Sequence, residues 1–377
     1  MSRSKFQVPS SKLITGKKLR RLSLALILFL TWNSELGTRN CLASAGEEGF
    51  QFLKLGASPR SAALGGTGVC AESGEEALSL NPAGLGELRW KEASFSYGDQ
   101  MESMNQGALT LAGNTKRGGI GVQAQSLQFG TIPGTDLSGN PTSAFSANDL
   151  SLAVGIGRRI WEDHASWGAS VKQVSETIDG IKGTAYALDL GVVREWKAAS
   201  LRAGLDARNL GSGAKFDEEK TSLPQSFDAG VSWKGFSEAV TAAVEVHKTG
   251  ENTTFLSGGI EAWLQNALAF RAGYRTDGDV GRRFSLGLGF RLRDIRVDYA
   301  FADAGSFGGT HRVGIQWRFG NEAQSLYEEG AALSQKGLYP EAILKFKEAL
   351  DLDPNHRAAA RGLRDAVQRL NGEMRGS

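Results

Sequence analysis

Proline, cysteine and histidine are scarce in this chain of 377 residues, which has 8, 2 and 4 of them. His164, His247, His311 and His356 stand far apart with no ligand-like spacing, so each is expected at a surface or turn and none in a metal site. Of Cys41 and Cys70, the first lies in a stretch expected to be removed, which leaves no intramolecular disulfide. Charge of one sign is missing too. Lys+Arg of 43 against Asp+Glu of 41 leaves +2, which gives no electrostatic footprint for nucleic acid. Absent as well are a Gly-x-Ser-x-Gly elbow, a phosphate loop and a His-Glu-x-x-His helix, so no catalytic residue and no cofactor is expected, and the protein reads as non-enzymatic. Gly66 to Ala71 loosely fits Gly-x-Gly-x-x-Ala, but no strand precedes it and no βαβ unit follows. Its glycines are better suited to tight turns.

Long apolar runs are also lacking. The longest feature of that kind is residues 22–30, preceded by Lys12, Lys17, Lys18, Arg20 and Arg21 and followed by Ala43-Ser44-Ala45. That order reads as an export signal over residues 1–45, cleaved before Gly46. The run falls well short of the roughly 20 residues a spanning helix needs. Between residues 91 and 319 no run of that length occurs, so this region can lie in a membrane only as a barrel.

What the chain does have is glycine, 49 copies, and apolar–polar alternation with a period of two. In the last segment Val313, Ile315, Trp317 and Phe319 share one face and Arg312, Gly314, Gln316 and Arg318 the other. Ile295, Val297, Tyr299 and Phe301 alternate likewise with Arg296, Asp298 and Ala300. Phe284 to Leu292 and Leu268 to Tyr274 repeat the pattern against Arg283, Arg291, Arg271 and Arg275. The polar face mixes arginine with glycine, serine and alanine, which suits a lumen better than the outside of a sandwich. About fourteen such segments begin near Lys91, Gln106, Gly118, Asp149, Ala165, Gly183, Ser200, Ser226, Ala239, Thr254, Ala267, Gly281, Ile295 and Thr310. The expected fold is therefore mainly β: an antiparallel transmembrane barrel over residues 91–320, in contact with membrane lipid. Links after odd-numbered segments include the long ones, 130–148 and 211–225, and links after even-numbered segments are brief, as outside loops and periplasmic turns would be. Trp161, Trp196 and Trp263 sit beside the brief links, where an interfacial girdle is expected. Arg271, Arg275, Arg283, Arg291, Arg296, Arg312 and Arg318 line the lumen on this reading. They either pair with Asp189, Asp206 and Asp298 as a stiffening ladder or form an anionic path or carboxylate site.

The two ends of the mature chain are the most specific. Residues 312–319, ending in Trp317-Arg318-Phe319, resemble the β-signal read by barrel-assembly machinery, a partner the chain is then expected to meet. From Asn321 the spacing turns helical. Gly330, Ala342, Phe346, Ala349 and Pro354 fall at the offsets of a tetratricopeptide repeat, with Leu326 and Leu333 at its usual aromatic positions. A third helix near residues 358–370 would cap this module of residues 321–372. One repeat plus a cap is less than a free-standing solenoid needs, so a protein partner is expected there.

At the other end stand residues 52–68, Phe-Leu-Lys-Leu-Gly-Ala-Ser-Pro-Arg-Ser-Ala-Ala-Leu-Gly-Gly-Thr-Gly, and 75–85, Glu-Glu-Ala-Leu-Ser-Leu-Asn-Pro-Ala-Gly-Leu. These two motifs resemble the N-terminal region of the PorV/PorQ proteins, which belong with the FadL-like outer-membrane barrels. Asn81, Pro82, Ala83 and Gly84 are similar to the segment near the internal hatch of those barrels. The resemblance implies a hatch or plug over residues 46–90, fourteen strands, an outer-membrane location and, as for PorV, a part in type IX secretion of cargo. It also admits a FadL-like passive channel for a hydrophobic ligand, with Leu53, Leu55, Leu64, Val69 and Leu78 lining the site.

Overall fold

The computed structural model describes residues 48–376 apart from 71–73, 101–103, 116, 137, 162–163, 217–218, 251–252, 277–283, 304–307, 321 and 354–355. The export signal, Cys41, Arg283 and Pro354 lie outside the described residues. Cys70 forms no disulfide among the described residues, and its Sγ lies 4.0 Å from Gly230 O.

The alternating segments become strands β1 (Lys91–Asp99), β2 (Asn105–Thr115), β3 (Gly118–Gln128), β4 (Ile132–Thr135), β5 (Pro141–Phe145), β6 (Ala147–Ile160), β7 (Ala165–Ile178), β8 (Ile181–Trp196) and β9 (Leu201–Leu210). They continue as β10 (Ala214–Phe216), β11 (Glu219–Thr221), β12 (Ser226–Gly235), β13 (Val240–Thr249), β14 (Thr253–Leu264), β15 (Leu268–Arg275), β16 (Phe284–Leu292), β17 (Ile295–Asp303) and β18 (Gly309–Phe319). Two small hairpins, β4–β5 and β10–β11, stand apart; the other fourteen strands form one closed antiparallel barrel. Pairing of β1 with β18, from Lys91 opposite Phe319 to Asp99 opposite His311, closes it and leaves no free edge.

Side chains alternate across the wall as the period of two requires. Phe95, Leu109, Ile156, Leu205, Leu288 and Ile315 are exposed outward, and Glu92, Thr110, Ser170, Asp206, Arg271 and Gln316 are buried inward. An apolar outer wall around a polar interior is the arrangement of a lipid-embedded barrel. Trp167, Trp196, Trp233 and Trp317 ring the outside near one rim, and Tyr97, Phe227, Tyr274 and Phe284 near the other. The first rim carries the brief links, several of them turned by residues with positive φ, such as Gln265 and Asn266 (φ 50 and 56). The opposite rim carries the longer links, including the two hairpins, with two exceptions, one of them the three-residue link 250–252 between β13 and β14. In the other, Asp179-Gly180 joins β7 to β8 as a two-residue turn with φ 50 and 81.

Two expectations are overturned here. Trp263 faces the lumen rather than lipid, because it shares parity on β14 with Glu261 and pairs with inward Ala269. His247 is neither at a surface nor in a turn. It is buried on β13, with its ring nitrogens 3.1 Å from Asp228 Oδ1 and 2.7 Å from Ser257 Oγ.

Residues 48–90 thread the lumen from the loop rim to the short-turn rim. The segment begins beside the loops, where Gly49 N donates to Ser222 O and Phe50 N to Glu176 Oε2. It passes through a 3-10 turn (Gln51–Lys54), helix α1 (Pro59–Ala63), helix α2 (Gly74–Ser79) and a second 3-10 turn (Pro82–Glu87) before entering β1. Ser58 caps α1 by accepting from Ser61 N, and Asn81 caps the second turn by accepting from Ala83 N. Gly65 and Gly66, with φ 73 and 87, make the reversal between α1 and the next stretch.

This plug explains the small residues of the inner wall. A Cβ on Gly121 would lie 2.9 Å from Leu78 Cδ1, and one on Gly155 2.8 Å from Leu78 Cδ2. At Gly168 it would run into the Pro82 carbonyl, and at Gly191 into Asn81 Oδ1. At Gly168 wall and plug meet backbone to backbone, which only glycine permits.

Past Phe319 the chain forms α3 (Glu322–Gln335), α4 (Tyr339–Leu352) and α5 (Arg357–Gly376), the last running beyond the expected Leu370. Residues Ala342, Phe346 and Ala366 form one buried cluster and Ala323, Ala349 and Ala359 another. Gly330 abuts the Phe346 ring, where a Cβ would lie 2.8 Å from Cε1.

Substituting Gly168→Val should overpack the plug–wall contact, at a cost of about 1–3 kcal/mol or more. Heat-modifiability on gels should show a lower unfolding temperature than for Gly107→Ala, whose Cβ meets nothing nearer than 3.6 Å. Equal behaviour of the two would refute the plug placement.

Candidate functional site

The lumen holds a chain of buried charges joining plug to wall. Arg60 of α1 grips Glu261 of β14 with Nε–Oε2 at 2.8 Å and Nη2–Oε1 at 2.9 Å. Its Nη1 also reaches both oxygens of Glu76 on α2, at 3.0 and 3.1 Å. From Glu261 the chain runs to Arg271 (2.6 Å), on to Asp298 (2.7 Å) and then to Arg296 (2.6 Å). Bidentate guanidinium–carboxylate forks of this kind fix orientation as well as charge. Beside them, burial pushes the carboxyl of Glu75 on α2 up to about 8; nearby Arg296 opposes the shift and Glu76 adds to it.

Arg275, Arg291, Arg312 and Arg318 face inward as well but serve different ends. Arg291 donates to Asn266 Oδ1 at 2.8 Å and lies 4.3 Å from the centroid of Trp263. Arg318 stacks 4.8 Å over Trp90 and sits 3.7 Å from Glu92. Arg275 stacks 4.6 Å over Phe255. Arg312 donates to the Gly56 carbonyl and, at 2.9 Å, to Gln106 Oε1. Of the three aspartates matched to these arginines by sequence, only Asp298 is paired with one of them among the described residues. Asp189 binds Lys172 at 2.7 Å, and Asp206 binds Arg208 at 2.9 Å, because those cations share their own arc of wall.

Asn81, Pro82, Ala83 and Gly84 are buried at the foot of the plug. Asn81 Nδ2 donates to Val69 O at 2.6 Å, so this motif ties two legs of the plug together against β8. Above it lies a cavity of about 370 Å³ in the loop half of the lumen, between plug residues 51–69 and strands β9 to β18. Of the five apolar residues expected to line a site, Leu55 and Val69 do so. Leu53, Leu64 and Leu78 are instead packed into the plug–wall contact. Sequence reasoning missed Arg60, Glu76, Arg208 and Glu245. The signal was present for the first two, since Arg60 and Glu76 are charges embedded in otherwise small and apolar motifs.

In the helical module Ala342, Phe346 and Ala349 are buried, and Gly330 lets α3 approach α4. The aromatic partner of Phe346 is Tyr327, at 5.9 Å, one residue beyond the Leu326 position read from the repeat pattern.

Residues 323–356 match the tetratricopeptide repeat family. No curated protein matches the chain. Among solved structures the chain is similar to the TodX monoaromatic hydrocarbon channel. For a deltaS2 mutant of that protein the TM-score is 0.52 at 13% identity, covering 70% of this chain and 98% of the other. For a deltaS2S3 mutant the TM-score is 0.51 at 13% identity, with the same coverage. The class of protein is therefore a closed fourteen-strand barrel of the fold seen in the TodX monoaromatic hydrocarbon channel, extended by a tetratricopeptide repeat.

Removing Arg60 would leave Glu76 and Glu261 buried without their fork, a change expected to cost about 3–5 kcal/mol. Arg60→Ala should make the plug open to added protease within residues 48–90 while the barrel stays folded. Resistance equal to wild type would contradict the pinning role.

Proposed function

We propose that this chain is a plugged outer-membrane barrel of PorV type, a non-enzymatic docking component of a secretion or assembly apparatus. The observation that carries the reading is the plug crossing the whole lumen and fastened to the wall through Arg60, Glu261 and their neighbours. Such a lumen suits an anchor better than a conduit. The wall adds to this: each neighbouring pair of barrel strands runs in regular antiparallel register, with one irregularity among the described residues, at Leu188/Leu190 between β8 and β9. That continuity offers little to a ligand leaving sideways into lipid.

On this reading the export signal delivers the chain and residues 312–319 present it to barrel-assembly machinery. The loops then hold cargo or a partner outside, and the tetratricopeptide module recruits a protein in the periplasm. The module follows the closing strand directly, at the short-turn rim. Cargo of a type IX pathway is what the resemblance of the plug motifs implies.

A second reading, a FadL-like passive channel for hydrophobic molecules, is favoured by the likeness to TodX and by the loop-side cavity. The charges around that cavity weigh against it, since a hydrocarbon gains little from a charged wall.

The test is affinity purification of tagged full-length chain and of a version ending at Phe319 from outer membranes. Protein partners lost with the truncation are the expected result. No partner from either version, with lipid-like molecules bound in the barrel, would overturn the docking reading in favour of the channel.

A further inference from the structure

Among the described residues of the barrel strands, every arginine faces the lumen except two, Arg158 on β6 and Arg194 on β8. These two share the parity of lipid-facing neighbours, Arg158 with Val154 and Ile156, and Arg194 with Leu190 and Val192. A guanidinium on that face gains nothing from alkyl chains, so its depth decides what it meets. Arg158 stands two residues before the end of β6 and Arg194 two before the end of β8. Both therefore lie at the level of the tryptophan ring near the short-turn rim, where a long cationic side chain reaches the headgroups.

The two exceptions are also neighbours. Only β7 separates them: Arg158 pairs with Trp167, Trp167 pairs on its other side with Val192, and Arg194 pairs with Ala165. Two inter-strand steps and two residues of rise put their Cα atoms ~12 Å apart, within the combined reach of two extended arginine side chains. Three exposed tryptophans, Trp161, Trp167 and Trp196, occupy the same patch. The Arg194 guanidinium lies 5.7 Å from the ring centroid of Trp161 and 5.0 Å from that of Trp196. Such contacts hold the group in place and supply no carboxylate or carbonyl acceptor for its N–H donors. Neither arginine has a carboxylate partner among the described residues. Glu195 alternates away from the lipid face of β8, and Glu162 and Asp163 in the turn after Trp161 lie outside the described residues.

At this depth the anion on offer is the phosphodiester of a lipid, and guanidinium groups bind phosphate through two parallel N–H donors. A single phosphodiester would balance only one of the two cations. A lipid with two phosphates balances both. We propose that Arg158 and Arg194, with Trp161, Trp167 and Trp196, form a headgroup site on the outer wall for an acidic phospholipid of the leaflet at the short-turn rim, of the diphosphate kind found in cardiolipin. The inference concerns the outer wall, so it goes beyond both the docking role and a lumenal channel and is independent of either.

The test is native mass spectrometry of the full-length protein released from detergent, titrated with cardiolipin and, separately, with phosphatidylcholine of the same acyl chains. Two double variants are compared. Arg158→Gln with Arg194→Gln removes the site, and Arg117→Gln with Arg293→Gln removes the same charge from two other turns of the same rim. Heat-modifiability on gels confirms that both are folded. Wild type should bind cardiolipin about tenfold or more tightly than phosphatidylcholine, and the first variant should lose that preference while the second keeps it. Equal affinity of wild type for the two lipids, a preference kept by the first variant, or the same loss in both variants would overturn the proposal.

Discussion

The fork from Arg60 to Glu76 and Glu261 is the constraint on which the rest depends, because it is where a short N-terminal segment becomes part of a barrel wall. A lumen large enough for fourteen strands cannot be filled by the inward side chains of the strands alone. The chain fills it with its own residues 48–90, and that choice propagates. Charged groups carried into the interior must be matched, which accounts for the relay through Arg271, Asp298 and Arg296. Backbone lying against backbone must be accommodated, which accounts for Gly119, Gly157 and Gly168, and the plug side chains of Leu78 and Asn81 account for Gly121, Gly155 and Gly191. The outer face follows a separate rule, set by lipid, and alternation lets both rules be met by one strand.

The relay also divides the lumen. Plug residues from Gly74 to Glu87 pack tightly against the short-turn half, where Leu78 and Leu85 meet the wall glycines. In the loop half the plug leaves the cavity that Asp206 and Arg275 share. The protein thus presents two different ends: a closed short-turn rim, from which the tetratricopeptide helices continue, and a concave loop end lined with charge.

The wall was legible in the sequence because a period of two is enforced at every position by opposite surroundings on the two faces. Observed starts such as Lys91, Gly118, Ala165, Ser226 and Ile295 coincide with those read from alternation, and others fall within a few residues. The repeat was legible for a similar reason, since Gly330, Ala342, Phe346 and Ala349 are small or aromatic by packing necessity. Pairing was not legible. Parity shows that Arg271 faces inward, but whether Asp189, Asp206 or Asp298 lies opposite depends on neighbouring strands and on the plug. The small residues of the inner face had a cause that the strands themselves do not contain, and His247 and Trp263 took their places for reasons of register rather than of residue type.

The account's central claim is that the plug seals the lumen, and the most direct measurement is the conductance of the purified full-length protein in planar lipid bilayers. The account predicts no stable open channel from wild type and steady conduction once residues 48–90 are deleted. Stable, ohmic conduction by the wild-type protein would contradict it.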